Sequence, residues 1–131
     1  MGVLVVEDNA AVRLLSVRTL QAAGYAVLQA ASAEEALQLS KTCAISLLLT
    51  DIHLGDGGMD GFALVDLITR EHPGLPVVMM SGQSHNGPLA VEKGLVFLAK
   101  PFLPSSMVEC VRSALRGFDD RNEAARGPGN I

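Results

Sequence analysis

The chain has no tryptophan, one tyrosine and four phenylalanines, so any core it buries has to be aliphatic, built from Leu, Val, Ile, Met and Ala. Charge is scarce as well: 18% of the residues are charged against 49% hydrophobic. That balance excludes an intrinsically disordered chain and points to a compact globular one. No stretch clusters Lys or Arg and the net charge is −4, which argues against direct DNA or RNA binding, because that needs a basic footprint. The two cysteines, Cys43 and Cys110, lie far apart and match no metal-ligand spacing. With no signal peptide ahead of them, they read as reduced thiols of a cytoplasmic protein. The longest apolar runs, Val3–Val6 and Ile45–Leu49, are far too short to cross a bilayer. A length of 131 residues is one domain's worth.

What is present is an alternation of short apolar runs with helical patterns. Val3–Val6 is a β-branched run that stops at Glu7-Asp8-Asn9, and Ala11–Ala23 reads as a helix closed by Gly24. A second strand is expected at Ala26–Leu28, and a second helix opens at Ser32 with the capping-box spacing to Glu35. Ile45–Thr50 reads as a strand buried on both faces. A glycine-rich loop leads to a helix over Phe62–Glu71, and a turn at His72–Pro76 to a strand at Val77–Met80. The polar segment Ser81–Gly94 has room for one short helix near Leu89–Lys93, before a strand at Leu95–Leu98. Pro104, at a first helical position, starts a last helix running to Arg116. The organisation expected is one domain over residues 1–116 and a polar tail or linker stub over 117–131. Five strand–helix units predict an α/β fold, a parallel sheet with helices on both faces. Ligands of such sheets bind at the carboxyl ends of the strands.

Those ends carry Glu7 and Asp8, Asp51, Ser81 and Lys100, in chain order. A parallel sheet brings all of them to one edge. Three carboxylates there would repel and take up protons unless a cation neutralised them, and a hard, oxygen-preferring ion such as Mg²⁺ does so. Asp51 is then a candidate nucleophile toward phosphorus, with the Ser81 hydroxyl and the Lys100 ammonium holding phosphoryl oxygens. Simpler readings exist for each residue alone. Glu7 and Asp8 would serve as caps of the first helix, Asp51 as a loop cap, and Lys100 as a side chain snorkelling from the sheet edge. The four together, in order and each at its own strand end, are what an accident does not supply.

The set Glu7-Asp8, Asp51, Ser81-Gly82 and Lys100-Pro101-Phe102 resembles the receiver domain of two-component response regulators, over residues 3 to 115. The resemblance implies a doubly wound, flavodoxin-like five-stranded sheet in the order 2-1-3-4-5. It implies Asp51 as phosphoacceptor, Mg²⁺ ligated by Asp8 directly, by Asp51, by Glu7 through water and by the main-chain carbonyl of His53, and Lys100 bridging the phosphoryl group and the acids. Ser81 would be the switch hydroxyl, Phe97 the switch aromatic, and Pro101 would follow a cis peptide bond. The phosphodonor would be a histidine kinase or a histidine phosphotransfer domain, with output through a protein partner or a homodimer and no nucleic acid or membrane contact.

The sequence departs from that pattern in places. The loop Gly55–Gly61 is about two residues longer, Gly55 stands where proline is common, and the fourth helix region, with Asn86-Gly87-Pro88, is short. The resemblance places His53 and Gln83 at positions that in this family tune phosphorylation and dephosphorylation rates. His72 and His85 read as solvated turn residues, and Met79-Met80 as core. On a helical wheel Val12, Leu15, Thr19, Leu20 and Ala23 share the inward face of the first helix, leaving Leu14 and Val17 as an exposed patch where a phosphate-delivering helix docks. Three rival functions stand beside the receiver reading. The first is a haloacid dehalogenase-type phosphatase or phosphotransferase, which also uses an aspartate nucleophile but needs a second aspartate where His53 stands. The second is a nucleotide- or flavin-binding doubly wound domain, which would need a glycine-rich loop where Glu7-Asp8-Asn9 stands, and the third is a pseudo-receiver scaffold that never takes phosphate.

Overall fold

A computed structural model describes residues 2–55, 58–83 and 86–126, with backbone alone at 86 and 118–126. Five strands, β1 Gly2–Val6, β2 Val27–Ala30, β3 Ile45–Asp51, β4 Val77–Ser81 and β5 Val96–Ala99, alternate with five helices. The helices are α1 Ala10–Ala22, α2 Ala33–Thr42, α3 Gly61–Glu71, α4 Asn86–Glu92 and α5 Pro104–Arg126. The strands are all parallel and lie in the order β2-β1-β3-β4-β5, as the sequence led us to expect.

Side chains alternate across each strand, so the sheet feeds two apolar layers. Leu4, Val6, Leu48, Val77 and Met79 pack with Ala33 and Ala36 of α2, Leu64, Val65 and Ile68 of α3, and Ala90 of α4. Val3, Val5, Leu47, Leu49, Val78, Met80 and Leu98 face the other way onto Val17 and Leu20 of α1 and Met107, Val111 and Ala114 of α5. β1 and β4 are buried along their whole length, which is why they are continuous apolar runs rather than alternating ones. Among the described residues no helix is long and apolar enough to cross a membrane.

The first helix rotates differently from the wheel. Its buried residues are Ser16, Val17 and Leu20, so Val17 is core, while Leu15 is 47% exposed and Leu14 49%. The cause is Ser16: its hydroxyl donates to Val12 O at 2.8 Å, satisfying the polar group inside its own helix and letting it enter the buried stripe. The wheel had given that stripe to Leu15.

Other differences are in lengths. β2 runs later than expected, to Ala30, because β1 continues to pair with it through Val5↔Gln29 and Val6↔Ala30. α4 starts at Asn86 rather than Leu89, its proline lying in the first turn, where no helical N–H is lost. The polar stretch beyond Arg116 is not a tail at once: α5 continues through Gly117 to Arg126. A glycine in a helix costs only about 1 kcal/mol relative to alanine, and residues 121–126 are rich in helix formers. Residues 127–131 lie outside the described chain. His72 is half-buried, not a solvated turn residue; its Nε2 lies 3.1 Å from Ser40 O, tying the end of α3 to α2. His85, with Ser84, falls outside the described residues.

The rotation of α1 is testable by paired substitutions. Val17→Asp buries an unpaired carboxylate and lowers unfolding free energy by at least ~3 kcal/mol in urea denaturation. Leu15→Asp changes it by no more than ~0.5 kcal/mol.

Candidate phosphoryl and cation site

The sheet order places β1 beside β3 at the centre, and both strands end in acids. Glu7 follows β1 and is fully buried; Asp51 ends β3 at 7% exposure; Asp8 is exposed. One carboxylate oxygen from each of Glu7, Asp8 and Asp51 lies within 4.8 Å of the others. Neither Glu7 nor Asp8 caps α1: Asn9 does, its side-chain oxygen accepting from Val12 N at 3.0 Å. That removes the simpler role for the acid pair.

Lys100 follows β5 and turns inward ahead of a cis peptide bond to Pro101. Its ammonium donates to Glu7 Oε1 at 2.6 Å and to Asp51 Oδ2 at 2.8 Å, and its own N–H donates to Ser81 O at 2.9 Å. Lys100 therefore reaches across the end of β4 rather than snorkelling outward. Burial works against its charge, but the hydrogen bonds to Asp51 and Glu7 and their negative charges outweigh it and hold the ammonium above its usual pKa. The Glu7 carboxyl is pushed up to about 8, first by burial and next by Asp51 beside it, with Lys100 pulling the other way.

Asp51 Oδ1 accepts the N–H of His53 at 3.2 Å, while the His53 side chain is exposed. Ser81 ends β4, is 1% exposed, and its hydroxyl oxygen accepts from Gln83 N at 3.0 Å. β4 and β5 pair Ser81 with Ala99 and Met79 with Phe97. Phe97 thus shares the sheet face of Ser81, two pairs further from the edge. Its ring is half-buried and packs against α4 at Gly87, where a Cβ would stand 3.3 Å from it. Every candidate residue named from sequence thus lies at one sheet edge or, for Phe97, just inside it.

The donor set fits a hard cation. Glu7 Oε2 is buried and has no hydrogen-bond partner among the described residues; an orphaned carboxylate oxygen in an acid cluster with one ammonium between two acids lacks positive charge. Oxygen-only ligands select Mg²⁺ or Ca²⁺ over softer metals.

Two residues went unnoticed in the sequence. Gly61, the first residue of α3, donates to Ile52 O at 2.7 Å. A Cβ on it would run into the Asp51 carbonyl oxygen and stand 2.8 Å from Ile52 Cα, so this glycine is what lets α3 start against the acceptor strand. Its signal was hidden among the neighbouring loop glycines. The other is Arg13, whose Nη1 donates to Glu7 O at 2.8 Å. Asp56 and Gly57 of the long loop lie outside the described residues.

The comparisons with known proteins agree with this geometry. The family "Response regulator receiver domain" matches residues 3–112. The nitrogen assimilation regulatory protein NtrX of Azorhizobium caulinodans is 33% identical over 124 residues, 92% of this chain and 27% of that protein. The sensor kinase CckA of Brucella abortus is 32% identical over 89% of this chain but only 13% of its own length. The crystal structure of the receiver domain of NtrX from Brucella abortus superposes with a TM-score of 0.80 at 34% identity, covering 87% of this chain and 98% of that one. The chain therefore spans only about a quarter or less of the curated relatives it matches here.

The close approach of Gly61 gives a test. Gly61→Ala forces the strand end or α3 to shift and destabilises the protein by roughly 1–3 kcal/mol in urea unfolding, as overpacking does. An unchanged midpoint would show that the contact is soft.

Proposed function

Because the chain belongs to the response regulator receiver domain family, we propose that it is a signalling switch phosphorylated on Asp51. The phosphoryl group comes from a phosphohistidine of a histidine kinase or a histidine phosphotransfer domain. The single observation that carries this reading is the Lys100 ammonium shared between Glu7 and Asp51 at 2.6 and 2.8 Å, beside an otherwise uncompensated acid cluster. In the reading, an Asp51 carboxylate oxygen attacks phosphorus, the P–N bond breaks, and its electron pair leaves on the donor imidazole. Lys100 holds a phosphoryl oxygen as a point charge, and the Ser81 hydroxyl turns from the Gln83 N–H to donate to another. Phe97, on the same sheet face as Ser81, follows that movement and alters the surface at α4. Glu7, Asp8, Asp51 and the main-chain carbonyl of His53 would hold Mg²⁺, which supplies charge neutralisation for the transferring group.

A turnover phosphatase is the weaker reading. The place of its second aspartate is taken by His53, whose side chain is exposed. A purely structural scaffold would have no use for a buried, partnerless Glu7 oxygen. Cytoplasmic placement and output through a protein partner belong to the same proposal.

The donor's approach is readable from the surface. An open groove lined by Val12, Leu15, Gly82, Lys100, Pro101 and Phe102 runs beside the site, with Leu14 and Leu103 exposed near its α1 and α5 borders. Because Lys100 is part of its wall, a helix carrying the phosphohistidine has to cover this groove to reach Asp51. The docking residues are then Leu14 and Leu15, not Leu14 and Val17.

Intact mass after incubation with acetyl phosphate and Mg²⁺ tests the chemistry. One phosphoryl adduct is expected, lost in Asp51→Ala and lost with a chelator. A folded protein that gains no adduct and binds no beryllofluoride would sink the reading. For docking, Leu14→Glu with Leu15→Glu should slow transfer from a phosphorylated donor protein about tenfold, the ~1.4 kcal/mol expected from losing a small apolar contact, while leaving the rate with acetyl phosphate as it is. Equal transfer from the donor protein by both forms would remove the groove from the argument.

A further inference from the structure

We propose that Arg13 is a positioning residue of the cation site, acting through the main chain of Glu7. The inference rests on the cation reading above and extends it to a residue outside the acid cluster.

The β1–β2 ladder fixes where the backbone groups of Glu7 point. In a parallel pair, the N–H and C=O of alternate residues point to the same neighbour. Val3 N donates to Ala26 O and Glu7 N donates to Ala30 O, so the Glu7 carbonyl also faces the β2 side. The donor that would meet it in register is the N–H of Ser32. Ser32 has already left the sheet as the N-cap of α2, and β2 ends at Ala30. The carbonyl between Glu7 and Asp8 is therefore orphaned by the ladder at the very point where the chain turns into the cation site. Arg13 takes it, with Nη1 at 2.8 Å.

Its place in the chain makes this possible. Arg13 is the fourth residue of α1, and its backbone N–H donates to Asn9 O at 2.9 Å, so it stands one turn into the helix. Side chains of a helix lean toward its N-terminus, which here is the end of β1. Arg13 is half-buried, and the ion pairs among the described residues are those of Lys100 and of Arg116 with Glu109. Its hold on the site is thus through a backbone oxygen, with the carboxylates left to Lys100 and to the cation. With the Glu7 carbonyl fixed, the peptide joining Glu7 to Asp8 has one orientation, and the two carboxylates leave it toward Asp51. Without it, the turn can rotate about that peptide, and Asp8, which is exposed, is spread over many positions.

The experiment titrates Mg²⁺ alone into the full chain by calorimetry, comparing wild type with Arg13→Met and Arg13→Lys. Methionine keeps the aliphatic stem and removes the donor; lysine keeps a donor and the charge. Arg13→Met should weaken Mg²⁺ binding about tenfold, the lower end of what loss of an outer hydrogen-bond partner costs a metal site, and Arg13→Lys should bring it back to within about threefold. The yield of Asp51 adduct at saturating Mg²⁺ should match wild type in both. The metal-free melting temperature of Arg13→Met should fall by less than ~4 °C, corresponding to under ~1 kcal/mol. Unchanged affinity in Arg13→Met, no recovery in Arg13→Lys, or a large metal-free loss of melting temperature would each overturn the assignment. If the wild type itself binds no Mg²⁺, the cation reading fails and this one falls with it; a wild type that binds and an Arg13→Met that binds equally removes only the role of Arg13.

Discussion

The ammonium of Lys100 is what the rest of the functional edge is built around. Glu7 is fully buried and Asp51 nearly so, and two carboxylates at that depth cost several kcal/mol each if left without a cation. Lys100 follows β5, and β5 is separated from β3 by β4, a distance of roughly 10 Å at about 4.8 Å per strand. A long, unbranched side chain launched inward crosses that gap, past Ser81, the small residue that ends β4 and whose carbonyl accepts the Lys100 N–H. The end of β4 and the placement of Lys100 are thus tied together.

The same constraint acts on β3. Its seven residues run past the pairing with β1, which stops at Val6↔Thr50, and so carry Asp51 out to the edge. From there the chain must turn at once into the loop leading to α3, and α3 must return against the strand it has just left. Gly61 donates to Ile52 O and has no room for a side chain. Asp60, just ahead of it, caps the helix by accepting from Ala63 N at 2.8 Å. A cap and a glycine in succession define where α3 begins, and through that contact they define where Asp51 ends.

Most of the fold was legible because the signals were redundant. Five apolar runs, each followed by a helical period and a cap or glycine, point to a parallel sheet with helices on both faces, the strand-end residues then select one edge, and the strand order came from the family resemblance those residues carry. Legibility failed where a single residue contradicts its type. Ser16 is polar yet buried because it bonds to its own helix, and this turned the α1 face by enough to exchange Leu15 and Val17. Gly117 is a helix breaker by rule yet lies inside α5, since one glycine is outweighed by the helix formers around it. Gly61 and Arg13 were invisible for a different reason. Each acts on a backbone atom of a residue distant in sequence or across a turn, and hydropathy, periodicity and motif spacing report on side chains.

Under the proposed phosphorylation of Asp51, the same bonds would have two competing arrangements. An ammonium has three donors, and Lys100 commits two, to Glu7 and Asp51. A phosphoryl group on Asp51 would remove the charge of the bonded carboxylate and place about two negative charges just beyond it. Lys100 would then have a better partner than either acid, and its bond to Asp51 is the one to be exchanged, since the acyl-phosphate carboxyl no longer carries the charge that held it. The Lys100 main chain is itself bonded to Ser81 O, so a shift of the ammonium toward the phosphoryl oxygen would pull on the end of β4, where the Ser81 hydroxyl accepts from Gln83 N. In the proposed switch, movement at the phosphate and movement at β4 and β5 would be joined by Lys100, and Phe97, half-buried on the same sheet face and packed on α4, would carry that movement to the surface.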